Sequence, residues 1–458
     1  MSSTKIFGTF IDTPYLGEVR ILHDYCLTIN NDGFIQSFEY GKFDALAEVD
    51  DKDAQVIHIP KGSFLLPSFC DLHLHAPQLL YQGTGLHLPL MEWLDQYTYK
   101  AEERIDSDPD LARRTYTTLA KRLKEHGTGA VLLFGTIKVE TNLLLADIMR
   151  DAGLRAYVGK LSMDISSRKT YVESSKEAAL DAARSFLNKF PEKSTPADLV
   201  EPVITPRFVP TCSDELLTGL GQLAKEKNSR IQSHLAEARD QVDWVEQERR
   251  IADIDVFDKH NLLTPRTVQA HCTFLTPTCF HRLSDRGTSI AHCPLSNAYF
   301  SEKPFALREA LDAGVPVGLG TDVAGGYSID IMNAMRSAVM VSRMREGELK
   351  EHVNANKQVK ETILSINWKE SLYLATRGGA IALSLPEGAG VFEVGAPFDA
   401  QLIALYEPED GQGVGPLDFL DRPSPHVPVT EELLERWWSI GDRQNRLAVW
   451  VQGKQIYP

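Results

Sequence analysis

The stretch "FCDLHLHAPQ", Phe69–Gln78, ends a hydrophobic run that begins at Ser63 and sets two histidines one residue apart. A strand has a side-chain period of two, so His73 and His75 point the same way, about 7 Å apart along the strand. Both rings can then converge on one ion. Asp71 precedes the pair, and Gln78 follows three residues after it. In a chain with 13 histidines an H-x-H pair carries little by itself. Its meaning depends on what the rest of the chain places beside it.

Outward from this stretch the pattern is strand-helix alternation. After "SFLLPSFCDLHLH" come "GAVLLFGTI", "RAYVGKLSM", "EPVITPRF", "RIQSHLAE", "TVQAHCTFL", "TSIAHCPLSN" and "VPVGLGTDVAGG". Between them lie helical periods such as "DLARRTYTTLAKRLKEHG", "TNLLLADIMRDAG", "ELLTGLGQLAKEKN" and "PFALREALDAG". Several end at Gly, which accepts the positive φ of a helix C-terminus. Eight strands with intervening helices predict an α/β fold, a (β/α)8 TIM-type barrel over residues 67–388. Both ends of the chain instead read as short strands and turns: "KIFGTFIDT", "CLTINNDGFIQSFEY" and "AQVIHIP" in residues 1–66, "APFDAQLIALY" and "LAVWVQGKQIYP" in residues 389–458. Neither end is long enough for its own core, so they are expected to meet in one small β-sandwich. A Pro/Gly-rich loop, "PEDGQGVGPLDFLDRPSPHVP", and a short amphipathic helix, "TEELLERWWSIGD", complete the C-terminal part.

Composition narrows the function classes. The chain is 43% hydrophobic and 24% charged, as in ordinary globular proteins. A net charge of -15 and the lack of a long basic block argue against a nucleic-acid surface. No run approaches the length of a membrane span, and "MSSTKIFGTFIDTPYLGEVR" lacks the layout of a signal peptide. The six cysteines, at 26, 70, 212, 272, 279 and 293, form no C-x-x-C pair. A reducing cytoplasm is the expected compartment, with neither a disulfide framework nor a structural zinc cluster.

In such a barrel, active sites lie at the C-terminal ends of the strands. The unusual residues fall there: His73 and His75 on strand one, Arg207 on four, His234 on five, His271 on six, His292 on seven and Asp322 on eight. Burying so many polar groups at one end without a shared purpose would be costly. Histidine nitrogens with a carboxylate oxygen compose a catalytic zinc or iron site. In "SHLAE", Glu237 lies three residues after His234, an offset that can place its carboxylate beside a metal-bound water. Such a water is acidified by the metal, and a nearby carboxylate can take its proton and pass it on. Alone, each of these residues would read as a strand histidine satisfied by a neighbour or a solvated first-turn glutamate. "GLGTDVAGG" lacks the spacing of a dinucleotide fingerprint.

Several long strings add a resemblance: "DLHLHAPQ", "GTGLHLPLMEWLDQYTYKAEER", "LLADIMRDAGLRAYVGKLSMD", "TPRF", "QSHLAE", "AHC" followed by "IAHCPLSN", "GLGTDVAGGYS" and "FEVGAPFDA". They resemble the amidohydrolase superfamily and, more narrowly, its branch that deaminates guanine. The resemblance implies one zinc per chain, held by His73, His75, His234 and Asp322. It implies Glu237 as proton shuttle, His271 as a hydrogen-bond partner of the attacking water, and Asp322 as a further acceptor of that water's proton. Gln78, Arg207 and Phe208 would hold the purine, and the reaction would give xanthine and ammonia. The side-chain chemistry agrees: guanine's carbonyl suits the Arg207 fork, its ring nitrogens suit an amide, and Phe208 offers an apolar face. Binuclear relatives carry a bridging lysine or carboxylate near strand three or four. Arg207 cannot be a ligand, since it offers only donors, and Lys160 falls mid-strand, so a single metal is expected. Departures fall at Leu295, where relatives commonly carry Asn, and at Ser301 to Phe305, where they carry a Gly-containing loop. Both lie off the expected ligands and bear on pocket shape. The family pattern also suggests a homodimer.

Three rival readings compete with this one. Another aminated purine or pterin could be the substrate on the same barrel, since one or two contacts redirect specificity; opening of a cyclic amide is disfavoured by "TPRF". A scaffold without catalysis should have lost ligands or the shuttle, and none is lost. The unrelated H-x-E and P-C-x-x-C zinc deaminase design fails, because "VPTCSDE" and "LTPTCF" supply no second cysteine.

Overall fold

The computed structural model describes residues 4–41, 55–190, 198–356, 363–409, 411–420 and 428–458. Its strands, in chain order, are β1 (Thr4–Asp12), β2 (Arg20–Ile29), β3 (Ile35–Tyr40), β4 (Gln55–His58), β5 (Ser63–Pro67), β6 (Phe69–His75), β7 (Thr128–Phe134), β8 (Arg155–Ser162), β9 (Val200–Pro206), β10 (Arg230–Leu235), β11 (Thr267–His271), β12 (Ser289–His292), β13 (Val317–Leu319), β14 (Ala400–Ala404), β15 (Arg446–Val451) and β16 (Lys454–Tyr457). They make two sheets of eight strands each.

The barrel is β6 to β13 in sequence order, every neighbour parallel. Its ends are joined by backbone bonds just past β13: Asp322 N donates to His73 O at 2.8 Å, and His75 N to Val323 O at 3.0 Å. The strands are buried on both faces, as parallel strands wrapped by helices must be. The helix Pro109–Glu125 shows how sequence sets these wrappings. Asp108 caps it by accepting from Leu111 N at 2.9 Å, and Pro109 occupies the first turn, where a missing N–H costs nothing. Leu111, Tyr116, Leu119 and Leu123 then recur on its buried face at helical spacing.

The two ends of the chain meet, as their strand-rich patterns predict. Hydrogen bonds join them in a single sheet of order β16-β15-β14-β5-β1-β2-β3, with β4 on β1. The link is the antiparallel pair β5–β14, from Ala400↔Pro67 to Ala404↔Ser63. Ile6, Phe10, Leu27, Leu65, Phe398 and Trp450 form its core. The "NNDG" turn closes with Asn30 Oδ1 accepting from Asp32 N and Phe34 N, both at 3.0 Å. Gly33 there has φ of 80°, and a Cβ on it would lie 2.0 Å from Gln452 O, so no other residue fits.

Two expectations need correction. The run "SFLLPSFCDLHLH" is two strands, because the backbone changes partner at Ser68: Ser68 N donates to Asp399 O in the terminal sheet, and Phe69 N to Gly127 O in the barrel. Asp322 does not end a strand. β13 stops at Leu319, and Asp322 sits three residues on with φ of 49°. The expected loop over 408–428 is described at 408–409, 411–420 and 428; residues 410 and 421–427 lie outside the described residues. The helix Glu431–Ile440 forms where expected. Among the described residues no helix is long and apolar enough to cross a membrane.

Candidate active site

The C-terminal ends of the barrel strands bring the predicted residues together around one small cavity. His75, Gln78, Arg207, Phe208, His234, Glu237 and Asp322 line it. His73 and His75 converge as their spacing requires: their Nε2 atoms lie 3.2 and 3.5 Å from Asp322 Oδ1. His75 Nε2 lies 3.1 Å from His234 Nε2. His271 Nε2 lies 3.5 Å from Glu237 Oε1 and 3.8 Å from Asp322 Oδ2. Asp71 clasps the closure of the barrel, accepting from Thr321 N at 3.0 Å and from Thr321 Oγ1 at 2.5 Å, so the loop that carries Asp322 is tied to the strand that carries the histidine pair. His271 and Asp322 have positive φ, as does Ala236 between His234 and Glu237, a backbone cost that recurs at functional sites.

Hydrogen bonds fix which ring nitrogens are free. His234 Nδ1 lies 2.6 Å from Arg207 O, and a carbonyl only accepts, so Nδ1 carries the hydrogen and Nε2 keeps its lone pair. The same argument applies to His271, whose Nδ1 lies 2.9 Å from Asn297 Oδ1. Burial, then the neighbouring charge of His73, drives the His75 and His234 pKa values well below the usual histidine value. Burial brings His271 down to about 4. The carboxylates part in opposite directions. Burial lifts Glu237 well above the usual carboxylate range, and the charge of Asp322 lifts it further. At Asp322 burial acts upward too, but the charges of His73 and His271 hold the pKa below its usual value.

These donors fit a divalent cation. Three overlapping triads, His73–His75–Asp322, His73–His234–His271 and Glu237–His271–Asp322, each place their ligand atoms within 4.8 Å of one another. The Nε2 atoms of His73 and His271 are buried without a hydrogen-bond partner among the described residues. Imidazoles around a buried carboxylate leave ring nitrogens unmatched, and a cation matches them.

A second group of residues forms the base-facing wall. Arg207, one residue past β9, is 2% exposed. Its Nη1 donates to Glu102 Oε2 at 2.7 Å and its Nη2 to Glu102 Oε1 at 3.1 Å. Burial opposes the guanidinium charge, and Glu102 outweighs that, so the pKa of Arg207 is raised. Gln78 Nε2 donates to the same Oε1 at 3.2 Å, while Gln78 Oε1 accepts from Ala324 N at 3.2 Å. Leu90, Trp93, Leu94 and Phe300 add apolar surface, with the Trp93 and Phe300 rings 4.9 Å apart.

Two residues singled out from the sequence stand apart. Lys160 pairs with Glu173 rather than with the histidines. His292 ends β12, packs on the Phe305 ring at 5.0 Å and lies outside the three triads. The loop from Leu295 to Phe305 does support the site: Asn297 orients His271, Ser301 Oγ donates to Glu237 O at 2.5 Å, and Phe300 lines the cavity. Glu102 and Asn297 were missed in the sequence. Glu102 had a signal, since it shares a helical face with Tyr99 and Asp106 that also holds buried Ile105. Asn297 had none that distinguishes it from any loop asparagine.

The sequence pattern of the Amidohydrolase family matches residues 64–456, and the chain belongs to that family. Its full-length relatives narrow the class. The guanine deaminase of Mus musculus is 35% identical over 455 residues, 98% of this chain and 96% of that protein. The guanine deaminase of Dictyostelium discoideum is 33% identical over 467 residues, 99% and 98% of the two chains. A crystal structure of guanine deaminase from C. acetobutylicum, with guanine bound in its active site, matches with a TM-score of 0.86 at 28% identity over 100% of both chains.

Proposed function

We propose that this chain hydrolyses the exocyclic C–N bond of guanine, taking up water and releasing xanthine and ammonia. One observation carries the reading: a single cavity joins a cluster of imidazoles around Asp322 to the Gln78–Arg207 wall and Phe208. His73, His75, His234 and Asp322 would hold one zinc per chain. A divalent cation there supplies Lewis acidity and brings the ionisation of water within reach of neutral pH.

The chain's own residues then divide the remaining work. Arg207 donates to the purine carbonyl, Gln78 meets a ring nitrogen, and Phe208 packs on the face of the base. Trp93 and Phe300 cover the cavity and exclude bulk water. His271, with Nδ1 bound to Asn297, presents Nε2 to the attacking water. Asp322 begins ionised and is a further acceptor of the attacking water's protons. Glu237 takes one proton of the attacking water and delivers it to the ring nitrogen beside the attacked carbon; the second, given up by the new hydroxyl to Asp322 as the carbonyl forms, goes to the departing amine as the C–N bond breaks. The barrel would carry all of this chemistry, over residues 67–388, with 1–66 and 389–458 as the attached β unit. A cytoplasmic homodimer completes the proposal; the free state of all six cysteines suits a reducing compartment.

The test is ammonia release from guanine, 8-oxoguanine, adenine, cytosine and a pterin, with metal assayed on the same preparation. Turnover of guanine with about one zinc per chain is expected. Turnover of another base alone would overturn the substrate, and metal-free turnover would overturn the mechanism. Sedimentation and cell fractionation check the dimer and the compartment.

A further inference from the structure

Glu102 takes no part in the steps above, yet its side chain has no exposed surface. It projects from the helix Tyr99–Ser107, and both of its oxygens are spent on the base-facing wall. Oε2 accepts from Arg207 Nη1, and Oε1 accepts from both Arg207 Nη2 and Gln78 Nε2. Gln78 is held at its other end, where its Oε1 accepts from Ala324 N. A carboxylate can only accept and a backbone N–H can only donate. The Gln78 amide therefore has one orientation, since turning it over sets oxygen against carboxylate and N–H against N–H. The Arg207 fork is fixed in the same way by its two parallel bonds, which leave its remaining N–H groups directed away from Glu102.

We infer that Glu102 is a positioning residue that makes this wall donor-rich, and so sets the preference for a ring carbonyl over an amine on the substrate base. The inference rests on the purine reading of the site. A carbonyl accepts from the donors that Glu102 leaves free. An amine at the same place brings N–H against N–H and leaves buried donors unpaired, and sites built around hydrogen bonds reject such analogues strongly. A purely structural ion pair would behave otherwise. Its loss would lower stability and affect all bases alike.

The experiment compares Glu102→Gln with wild type on two pairs of purines. Guanine and 2,6-diaminopurine share the 2-amino group and differ by carbonyl against amine. Hypoxanthine and adenine differ in the same way and serve as competitive inhibitors. Wild type should favour the carbonyl member of each pair by about 100-fold or more. In the variant both ratios should narrow by about tenfold or more, mainly through KM and the inhibition constants, at unchanged metal content. Glu102→Asp keeps the charge and shortens its reach, so it tests the same ratios if the glutamine variant does not fold, and it too should narrow them. Ratios within about twofold of wild type in a soluble, metal-loaded variant overturn the inference, however far total activity falls. Failure of wild type to act on guanine overturns the purine reading instead.

Discussion

The histidine cluster and the Gln78–Arg207 wall share one cavity and bury their polar groups in contrary ways. In the cluster, His73 and His271 hold buried Nε2 atoms without hydrogen-bond partners among the described residues, beside a carboxylate that the His75 ring also approaches. In the wall, Arg207 and Gln78 meet Glu102 through three hydrogen bonds, and Gln78 takes a fourth from Ala324. The wall is complete as the chain folds. On the proposed reading, a cation completes the cluster. Metal should therefore govern the chemistry without defining the base-facing wall, and Glu102 should govern the wall without touching the metal.

The largest expected effect breaks the cluster. His75→Ala should remove bound metal and bring turnover to background, as read by metal analysis and ammonia release; metal retained at one per chain would detach His75 from the ligand set. Glu237→Gln should separate chemistry from ligation, with kcat falling about 10³-fold while metal stays bound. Near-normal kcat would remove Glu237 from proton transfer.

The wall should respond in stability. Glu102→Leu leaves the Arg207 charge buried without its partner and should cost about 3–5 kcal/mol in denaturant unfolding. Glu102→Leu with Arg207→Met removes both charges and should recover most of that loss. Equal losses in the single and double variants would mean that the pairing itself is not what matters.

The smallest effect is a pH dependence one helical turn from Glu102. Burial raises the pKa of Asp106 to about 6, against the opposing hydrogen bond from Thr136 Oγ1 at 2.5 Å and the charge of Lys138. Because the folded state binds this proton more tightly than the unfolded chain, its contribution is full below pH 3.8 and is lost as pH rises through about 6. Asp106→Asn should therefore gain stability over wild type across that window, and a flat difference would contradict the shift.

Legibility from the sequence differed between the same two parts. His73, His75, His234, Glu237 and His271 could be placed from strand ends and short offsets, because a strand's period fixes where neighbouring side chains point. Asp322 was named but misplaced, since its left-handed φ belongs to a loop that the apolar run before it does not announce. The split of the first run at Ser68 was hidden for a related reason: both halves are apolar, and only the change of backbone partner separates them. Glu102 stood in "KAEER", next to Glu103, and only the helical face that it shares with Tyr99 and Ile105 marks it as the one that turns inward.

By itself, the sequence determined the alternation that closes a barrel, the rim on which the histidines gather, and the donor chemistry suited to a metal. These follow from periodicity and side-chain type, which act over a few residues. Tertiary structure decided the rest: that Asp71 clasps Thr321 across the closure, that Asn297 turns His271, and that Glu102 finds Arg207 across 105 residues of chain. Such pairings form because a buried charge or ring nitrogen must find a partner wherever folding brings one, and that partner leaves no mark in the local pattern.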